Sequence, residues 1–167
     1  MAAANPKPAL RPYLPDDAPL CVAIFRASIE ELTGDDYDTA QQDAWASTAD
    51  DETAFAERLA SRLTLIGTLG GAPVGFISLE GKDHIDMLYV HPGAVGQGVG
   101  ATLCDAIEKL AAARGATTLI VDASDTARDF FARRGFVPEK RNTISLAGEW
   151  LANTTMKKPL SSDGPRS

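Results

Sequence analysis

The residues from His84 to Arg114 decide the fold, and they read HIDMLYVHPGAVGQGVGATLCDAIEKLAAAR. The run from His84 to Val90 is short and rich in β-branched and aromatic residues, which predicts a buried strand. The strand must end before Pro92, because proline has no N–H to donate to a sheet ladder. Glycines follow, and apolar residues then recur at helical spacing, so the stretch predicts a strand, a glycine-rich loop and a helix.

The glycines of this loop, Gly96, Gly98 and Gly100, stand where the predicted helix must begin. The first turn of a helix has unpaired backbone N–H groups and carries the positive end of the helix dipole. Glycine lets an anion approach those groups closely, so we interpret the junction as a phosphate site. The alternative without a ligand is a tight turn before a helix of small residues.

Two phosphate-containing ligands fit such a junction, a dinucleotide and coenzyme A. The segment from Gly96 to Ala101 contains the G-x-G-x-x-A pattern of dinucleotide sites, and Asp122 ends the next apolar run, where an acid could bind ribose. Two features argue against a dinucleotide. Five residues, His91 to Val95, separate the strand from the first glycine. After Asp122 the sequence predicts one short helix and a hairpin instead of further parallel strands.

Two motifs of the sequence resemble those of the GNAT superfamily of N-acetyltransferases. The first is a strand ending in an L-x-V-x-P-like run, followed by (Q/R)-x-x-G-x-(G/A), which Leu88 to Pro92 and Val95 to Gly100 match. The second is N-x-x-A-x-x-F-Y-x-x-x-G-F, which Ser124 to Phe136 match. The resemblance spans about Leu10 to Leu160, and parts of it are similar to an uncharacterised bacterial branch of the superfamily.

This resemblance implies a single α/β domain of the GNAT-like type, with a central mixed sheet of six or seven strands flanked by helices. The domain would span residues 9–160, between a loose N-terminus at residues 1–8 and a polar tail at residues 161–167. The helix and strand patterns along the chain agree with such a domain. The predicted helices are Ala18 to Leu32, Asp38 or Thr39 to Ala46, Asp50 to Ala60 and Thr126 to Arg134, and the further strands are Ala9 to Leu14, Arg62 to Leu69, Val74 to Glu80, Thr117 to Asp122, Phe136 to Leu146 and Glu149 to Met156.

The resemblance also implies a function, an acyl-CoA-dependent N-acyltransferase that moves acetyl from acetyl-CoA to an amine by direct attack in a ternary complex. In this family two parallel strands splay apart, and the pantetheine arm of coenzyme A enters between them. The cofactor contacts that carry over are Leu88, Tyr89, Val90, Gly96, Gln97, Gly98, Val99, Gly100, Ala101, Ser124, Ala127 and Phe131.

Three positions depart from the family pattern. Val95 stands where Gln or Arg is usual, Ser124 stands where Asn is usual, and Phe131 stands where the general-acid Tyr is usual. A phenyl ring cannot donate a proton, so that role does not carry over. However, a thiolate with a pKa of roughly 8.5 leaves without much protonation, and general-acid help is about 10²–10⁴-fold. Phe131 therefore leaves catalysis open, and it motivates the alternative of a non-catalytic acyl-CoA-binding domain.

Candidate catalytic residues lie on the central strand, since an attacking amine must lose a proton. Asp86 is charged inside an apolar run, so its carboxylate needs a partner or a water-filled cleft. His84 lies on the same face of an ideal strand, and an imidazole can accept and donate a proton. The alternatives are a structural carboxylate paired with an arginine and an exposed strand-end histidine. The early helices line the acceptor site in the family, so Tyr37 and Trp45 are candidate substrate contacts, with core packing as the alternative.

Composition sets the remaining expectations. The net charge of −7 argues against a nucleic-acid partner. No apolar run approaches ~18 residues and the N-terminus lacks a signal-peptide core, so we expect no membrane partner and a cytoplasmic protein. Cys21 and Cys104 lie in apolar helical contexts, which predicts buried free thiols and no metal. The expected partner is a small-molecule or peptide amine, and a homodimer would be ordinary.

Overall fold

Seven strands form one mixed sheet in the computed structural model of the protein, which describes residues 6–160. The strands are β1 (Ala9–Pro12), β2 (Leu63–Leu69), β3 (Ala72–Glu80), β4 (His84–Val90), β5 (Thr118–Ser124), β6 (Val137–Leu146) and β7 (Glu149–Pro159). The helices are α1 (Ala18–Leu32), α2 (Thr39–Ala46), α3 (Glu52–Ala60), α4 (Val99–Ala113) and α5 (Arg128–Arg133). The strand order across the sheet is β1-β2-β3-β4-β5-β7-β6.

This architecture confirms the predicted α/β class and the mixed sheet flanked by helices. The second helix begins after Asp38, one of the two predicted starts, and the Asp38 side chain caps it by accepting from the Gln41 N–H. The last strand continues past the predicted Met156 to Pro159. Residues 1–5 and 161–167 lie outside the described part of the chain, so the loose N-terminus and the polar tail stay predictions.

The parallel neighbours β4 and β5 pair only at their N-terminal ends. His84 lies opposite Ile120 and Ile85 opposite Val121, and within residues 6–160 the two strands form no further pair. On its other side β4 stays paired with β3 as far as Val90. The edge of β4 beyond Ile85 therefore faces a gap in the sheet. Across this gap β5 pairs antiparallel with β7, which is not the parallel continuation that a dinucleotide fold requires.

A bulge in β4 reorients the strand beside that gap. Ser78 lies opposite Met87 and Leu79 opposite Ile85, so Asp86 has no partner on β3. A bulged residue bends its strand and changes which face the following side chains occupy. Accordingly, Ile85 packs in the core beneath α4, whereas Met87 packs in the core beneath α1 and α3.

Two apolar cores cover the two faces of the sheet. The first lies beneath α4 and α5 and includes Leu103, Ile107 and Phe131. The second lies beneath α1 and α3 and includes Phe25 and Phe55. Within the described residues, none of the helices has the length and apolar character needed to cross a membrane.

The two cysteines are buried free thiols, as predicted. Burial raises the pKa of Cys21 and the pKa of Cys104 to about 12. Both side chains are therefore neutral packing residues at neutral pH, without the thiolate character that nucleophilic cysteines need.

Candidate active site

A cavity of about 300 Å³ opens where β4 and β5 separate. The two diverging strands form its floor, the helical segment from α1 to α3 forms one side, and the β6–β7 hairpin forms the other. The predicted site residues that line it are Tyr37, Trp45, His84, Asp86, Leu88, Tyr89, Ser124, Ala127 and Phe131. The fold thus brings together residues that are far apart in the sequence.

The glycine loop lies outside the cavity lining, at the N-terminus of α4. Gly98 is the N-cap of the helix at φ +84°, and it supplies no side-chain cap. Gly96 also has a φ of +84°, in the left-handed region that favours glycine. The first N–H groups of α4 are consequently free of intrahelical partners and of a capping side chain, as an anion site requires.

Close packing sets the position of this loop against the end of β4. A Cβ on Gly100 would approach the Phe130 ring to 3.3 Å and the Val90 side chain to 3.8 Å. The Val99 side chain is in the core, so this residue can meet a ligand only through its backbone. The Gln97 side chain donates to the Gly93 carbonyl at 3.3 Å, while Ala101 is half-buried in the first helical turn.

Free backbone donors continue from the loop into the gap between the strands. The His91 N–H donates to the Val74 carbonyl on β3 at 2.7 Å. Since backbone groups alternate sides along a strand, the Tyr89 amide also faces β3, and the amides of Leu88 and Val90 face the gap. An amide-containing ligand lying in the gap could pair with these groups, as a neighbouring strand would.

Asp86 is held by two guanidinium groups. Arg58 donates from Nη2 at 2.7 Å and from Nε at 2.9 Å, and the Nε of Arg62 lies 3.7 Å away. The Asp86 side chain is only 11 % exposed. The hydrogen bond to Asp86 raises the pKa of Arg58, so this guanidinium stays charged. This geometry matches the alternative of a structural carboxylate paired with an arginine, because both oxygens of Asp86 accept from Arg58.

His84 lies between two carboxylates. Its Nδ1 is 3.4 Å from Glu80 Oε1, and its Nε2 is 3.5 Å from Asp122 Oδ2. The Thr155 hydroxyl donates to Asp122 Oδ1 at 2.6 Å and so orients that carboxylate. Sequence reasoning considered Asp122 only as a ribose ligand and did not identify Glu80, because strand pairing and not spacing along the chain brings these acids to the imidazole.

The candidate substrate contacts Tyr37 and Trp45 form an aromatic side of the cavity. The Tyr37 hydroxyl donates to the Ala152 carbonyl at 2.7 Å and accepts from the Asp125 N–H at 2.9 Å. Its hydroxyl thus ties the helical segment to β5 and β7, and its ring remains at the cavity. The half-buried Trp45 packs edge-on between Tyr37 and Tyr89, with centroid distances of 5.4 and 6.3 Å. Burial raises the pKa of Tyr89 to about 12, so this phenol is neutral at neutral pH.

Apolar rings close the β5 end of the cavity. Phe131 is 2 % exposed and packs between Phe130 and Phe136, with centroid distances of 5.2 and 5.1 Å. Because a phenyl ring has no acidic proton, the side chain at this position supplies no proton donor. The Ser124 hydroxyl accepts from the Ala127 N–H at 3.1 Å and stabilises the turn that leads into α5.

Comparison with known proteins adds an independent line of observation. A family described as "Acetyltransferase (GNAT) domain" matches residues 33–160. The chain is 34% identical over 148 residues to the "Uncharacterized N-acetyltransferase YafP" of Escherichia coli, covering 89% of this chain and 93% of that protein.

Solved structures are similar as well. One described as a GCN5-related N-acetyltransferase from Rhodopseudomonas palustris has a TM-score of 0.92 and 65% identity, covering 96% of this chain and 100% of that one. The PaiA N-acetyltransferase of Thermoplasma acidophilum, solved with coenzyme A, has a TM-score of 0.75 at 16% identity, covering 92% of this chain and 99% of that one. The latter likeness concerns the fold alone.

Proposed function

The chain belongs to the GNAT family of N-acetyltransferases, and we propose that it moves acetyl from acetyl-CoA to an amine held in the cavity at the β4–β5 gap. The observation that carries the proposal is the continuity of free backbone donors. They run from the N-terminus of α4 into the gap, and the gap opens on the cavity. A long ligand with phosphates at one end and amides along its arm complements that path.

The proposed cofactor position follows from these donors. The pyrophosphate binds the N–H groups between Gly96 and Ala101, where the helix dipole favours negative charge. The pantetheine arm pairs with the free edge of β4 at Leu88 and Val90. The thioester then lies at the cavity, and the Leu88 N–H stabilises the oxyanion that develops on its carbonyl.

The reaction is direct attack of a neutral amine on the thioester carbon. The C–N bond forms, the C–S bond breaks, and the sulfur leaves as a thiolate. Phe131 offers no proton, so the thiolate takes one from the nitrogen that has attacked. The sulfur needs little protonation in order to leave, since the pKa of a thiol is roughly 8.5. Of the two candidate proton acceptors, His84 keeps its nitrogens available, whereas Asp86 serves to hold Arg58 and Arg62.

A thermal-shift titration with acetyl-CoA, CoA and NADH tests the cofactor part of the proposal. A ligand at ~100 times its Kd stabilises the native state by roughly 2.7 kcal/mol. We expect both CoA species to raise the melting temperature and NADH to leave it unchanged. A protein that neither CoA species stabilises would contradict the assignment of the loop and the gap.

Release of free thiol from acetyl-CoA in the presence of amines tests the chemistry. We expect turnover with at least one primary amine, and mass spectrometry should find acetyl on its nitrogen. Tight CoA binding without turnover on any amine would instead support the non-catalytic alternative that Phe131 motivates.

A further inference from the structure

The carboxylates at the cavity differ in how they are paired. Asp86 accepts two hydrogen bonds from Arg58. Asp122 also lines the cavity and is 42% exposed, and its only ion-pair contact within the described part of the chain is His84. It has no lysine or arginine partner there. Asp122 is thus a negative charge at the cavity that the fold itself leaves unbalanced.

We propose that Asp122 binds the acceptor as an ammonium ion, and that His84 takes the ammonium proton and passes it to Glu80. The proposal rests on the proposed acetyl transfer and names the substrate class of the same cavity, a primary amine that arrives protonated. A carboxylate beside the imidazole holds the ammonium where its proton can move to Nε2. The carboxylate at Nδ1 then provides an exit.

The proton balance of the reaction requires such an exit. A protonated primary amine carries three hydrogens on nitrogen, and the amide product retains one. One of the two lost protons goes to the departing sulfur, giving CoA as the free thiol. The other must leave before the nitrogen lone pair can attack. His84 accepts this second proton, becomes imidazolium, and loses it through Glu80 to solvent.

At the solvent end of the proposed proton route, Glu80 is positioned to release the proton. Glu80 lies directly opposite His84 on β3, at the end of the strand, and its side chain is 47% exposed. The Nη2 of Arg62 lies 2.8 Å from Glu80 Oε2 in an ion pair, and Oε1 faces the imidazole. A carboxylate that is fixed at one oxygen and open to water can receive a proton and return it to solvent.

The other charged side chains near the imidazole form ion pairs with one another. On its own strand, Asp86 is neutralised by Arg58 and lies near Arg62. On the far side of β5, Lys157 lies opposite Ile120 and pairs with Glu139 at 3.0 Å. The groups that face His84 are therefore the two carboxylates that the proposal uses.

The acceptor's body would meet an apolar hairpin wall. Ile144, Leu146 and Leu151 line the cavity from β6 and β7. Benzylamine, with a cationic amine on an apolar ring, is consequently the first probe, and spermidine and agmatine are cationic comparisons.

Steady-state kinetics of matched variants test the ammonium site. In Asp122→Asn the amide oxygen can still accept from Thr155, so the fold is kept and only the charge is lost. We expect Asp122→Asn to raise the KM for benzylamine at least tenfold while the KM for acetyl-CoA stays unchanged. Glu57→Gln removes an exposed carboxylate of α3 that forms no ion pair within the described residues and does not line the cavity, and it should leave both constants unchanged. Asp122→Ser replaces the asparagine variant if the latter does not fold.

The pH dependence of kcat tests the relay. His84→Ala should lower kcat at least tenfold at pH 7, with recovery at alkaline pH, where the amine is already neutral, and on addition of free imidazole. Glu80→Gln, a positioning variant, should lower kcat without changing the KM for either substrate. Loss of kcat in His84→Ala that neither alkali nor imidazole restores would show a structural role and overturn the relay.

The outcomes separate this inference from the function on which it rests. If the wild type acetylates benzylamine and Asp122→Asn behaves like Glu57→Gln, the ammonium site is wrong and acetyl transfer stands. If the wild type acetylates none of the three amines, calorimetric titration of benzylamine into the CoA-loaded wild type decides. Binding that Asp122→Asn abolishes would support the site without the chemistry, and absence of binding by the wild type would overturn the site.

Discussion

At the level of single residues, two arginine–aspartate pairs differ in exposure, and exposure decides how much each ion pair stabilises the folded protein. Arg58 binds Asp86, whose side chain is 11% exposed, at the cavity. Arg26 binds Asp50, whose side chain is 68% exposed, on the surface. Removing the first arginine leaves a largely buried carboxylate with only Arg62 nearby, whereas removing the second leaves one that water solvates. The two deletions should therefore differ although both pairs have the same 2.7 Å contact.

Arg58→Met should lower the free energy of unfolding by about 1–3 kcal/mol, because a buried acceptor loses its partner. Arg26→Met, the matched control, should change it by about 0–1 kcal/mol, the range of exposed pairs. Urea unfolding of both variants at pH 7 measures the difference. Equal losses in the two variants would contradict the argument from exposure.

Asp17 gives stability that depends on pH. Its carboxylate accepts from both terminal nitrogens of Arg11, at 2.8 and 2.7 Å, and from the Leu14 N–H at 2.8 Å. The Arg11 hydrogen bond is the main cause that lowers the pKa of Asp17 in the folded protein. A lowered folded pKa stabilises above the unfolded value of about 3.9, and the stabilisation is lost as the pH falls through the folded value.

Asp17→Asn should remove that part of the acid dependence. At pH 7 we expect a loss of about 1–3 kcal/mol in unfolding free energy, since the charged partner of Arg11 is gone. Between about pH 4 and 2 the wild type should lose stability more steeply than the variant. Urea midpoints across this range provide the measurement, and parallel pH profiles would show that Asp17 is not the responsible group.

The same scale shows what the sequence could and could not predict. A charge inside the apolar run IDMLYV required either a partner or a water-filled cleft for Asp86, and the structure provides the partner. The identity of the partner was not predictable, because Arg58 and Arg62 reach the strand through the packing of α3 and the start of β2. Asp122 was visible as the polar end of a strand and as a possible ribose ligand. Its contact with His84 arises from the parallel pairing of β4 with β5.

At the level of elements, residue types and their spacing along the chain are enough to predict the glycine loop and its helix. Helical periodicity and the glycines predicted that a helix opens within the segment from Gly96 to Ala101, and α4 begins at Val99. The bulge at Asp86 was not predicted, since it exists only in the register between two strands. The gap between β4 and β5 came from the family resemblance and not from periodicity, because residue spacing along one strand does not show where it separates from its neighbour.

Gly98→Ala tests the loop as an anion site. A side chain at φ +84° costs roughly 1–2 kcal/mol, and relief of this strain would turn the free N–H groups away from the ligand. We expect acetyl-CoA affinity to fall at least about tenfold, measured by calorimetry. Gly70→Ala is the control, since Gly70 has a φ of +57° and open space around its Cβ in a distant hairpin turn. It should lose similar stability with unchanged affinity, and equal affinity losses would contradict the loop assignment.

At the level of the whole molecule, the sheet joins two cores into one folding unit. Neighbouring residues of β3 divide between them, with Ile77 in the core beneath α4 and Phe76 in the core beneath α1 and α3. The same division occurs in β4, at Ile85 and Met87. Both cores depend on the same strands, β3 and β4. Loss of these strands would disrupt both cores, so the two should unfold together. The cavity lies where these strands part, and its geometry therefore depends on both cores.

Leu103→Ala tests this cooperativity. Leu103 is fully buried beneath α4, so its truncation should cost about 2–5 kcal/mol. Trp45 packs against the opposite core and Trp150 is 66% exposed, so tryptophan fluorescence reports on regions away from the mutation. We expect the fluorescence and far-ultraviolet circular dichroism midpoints in urea to shift together. Leu20→Ala, at a site 46% exposed on α1, should shift neither by much. A fluorescence midpoint that stayed in place while the dichroism midpoint fell would show that the two faces of the sheet unfold separately.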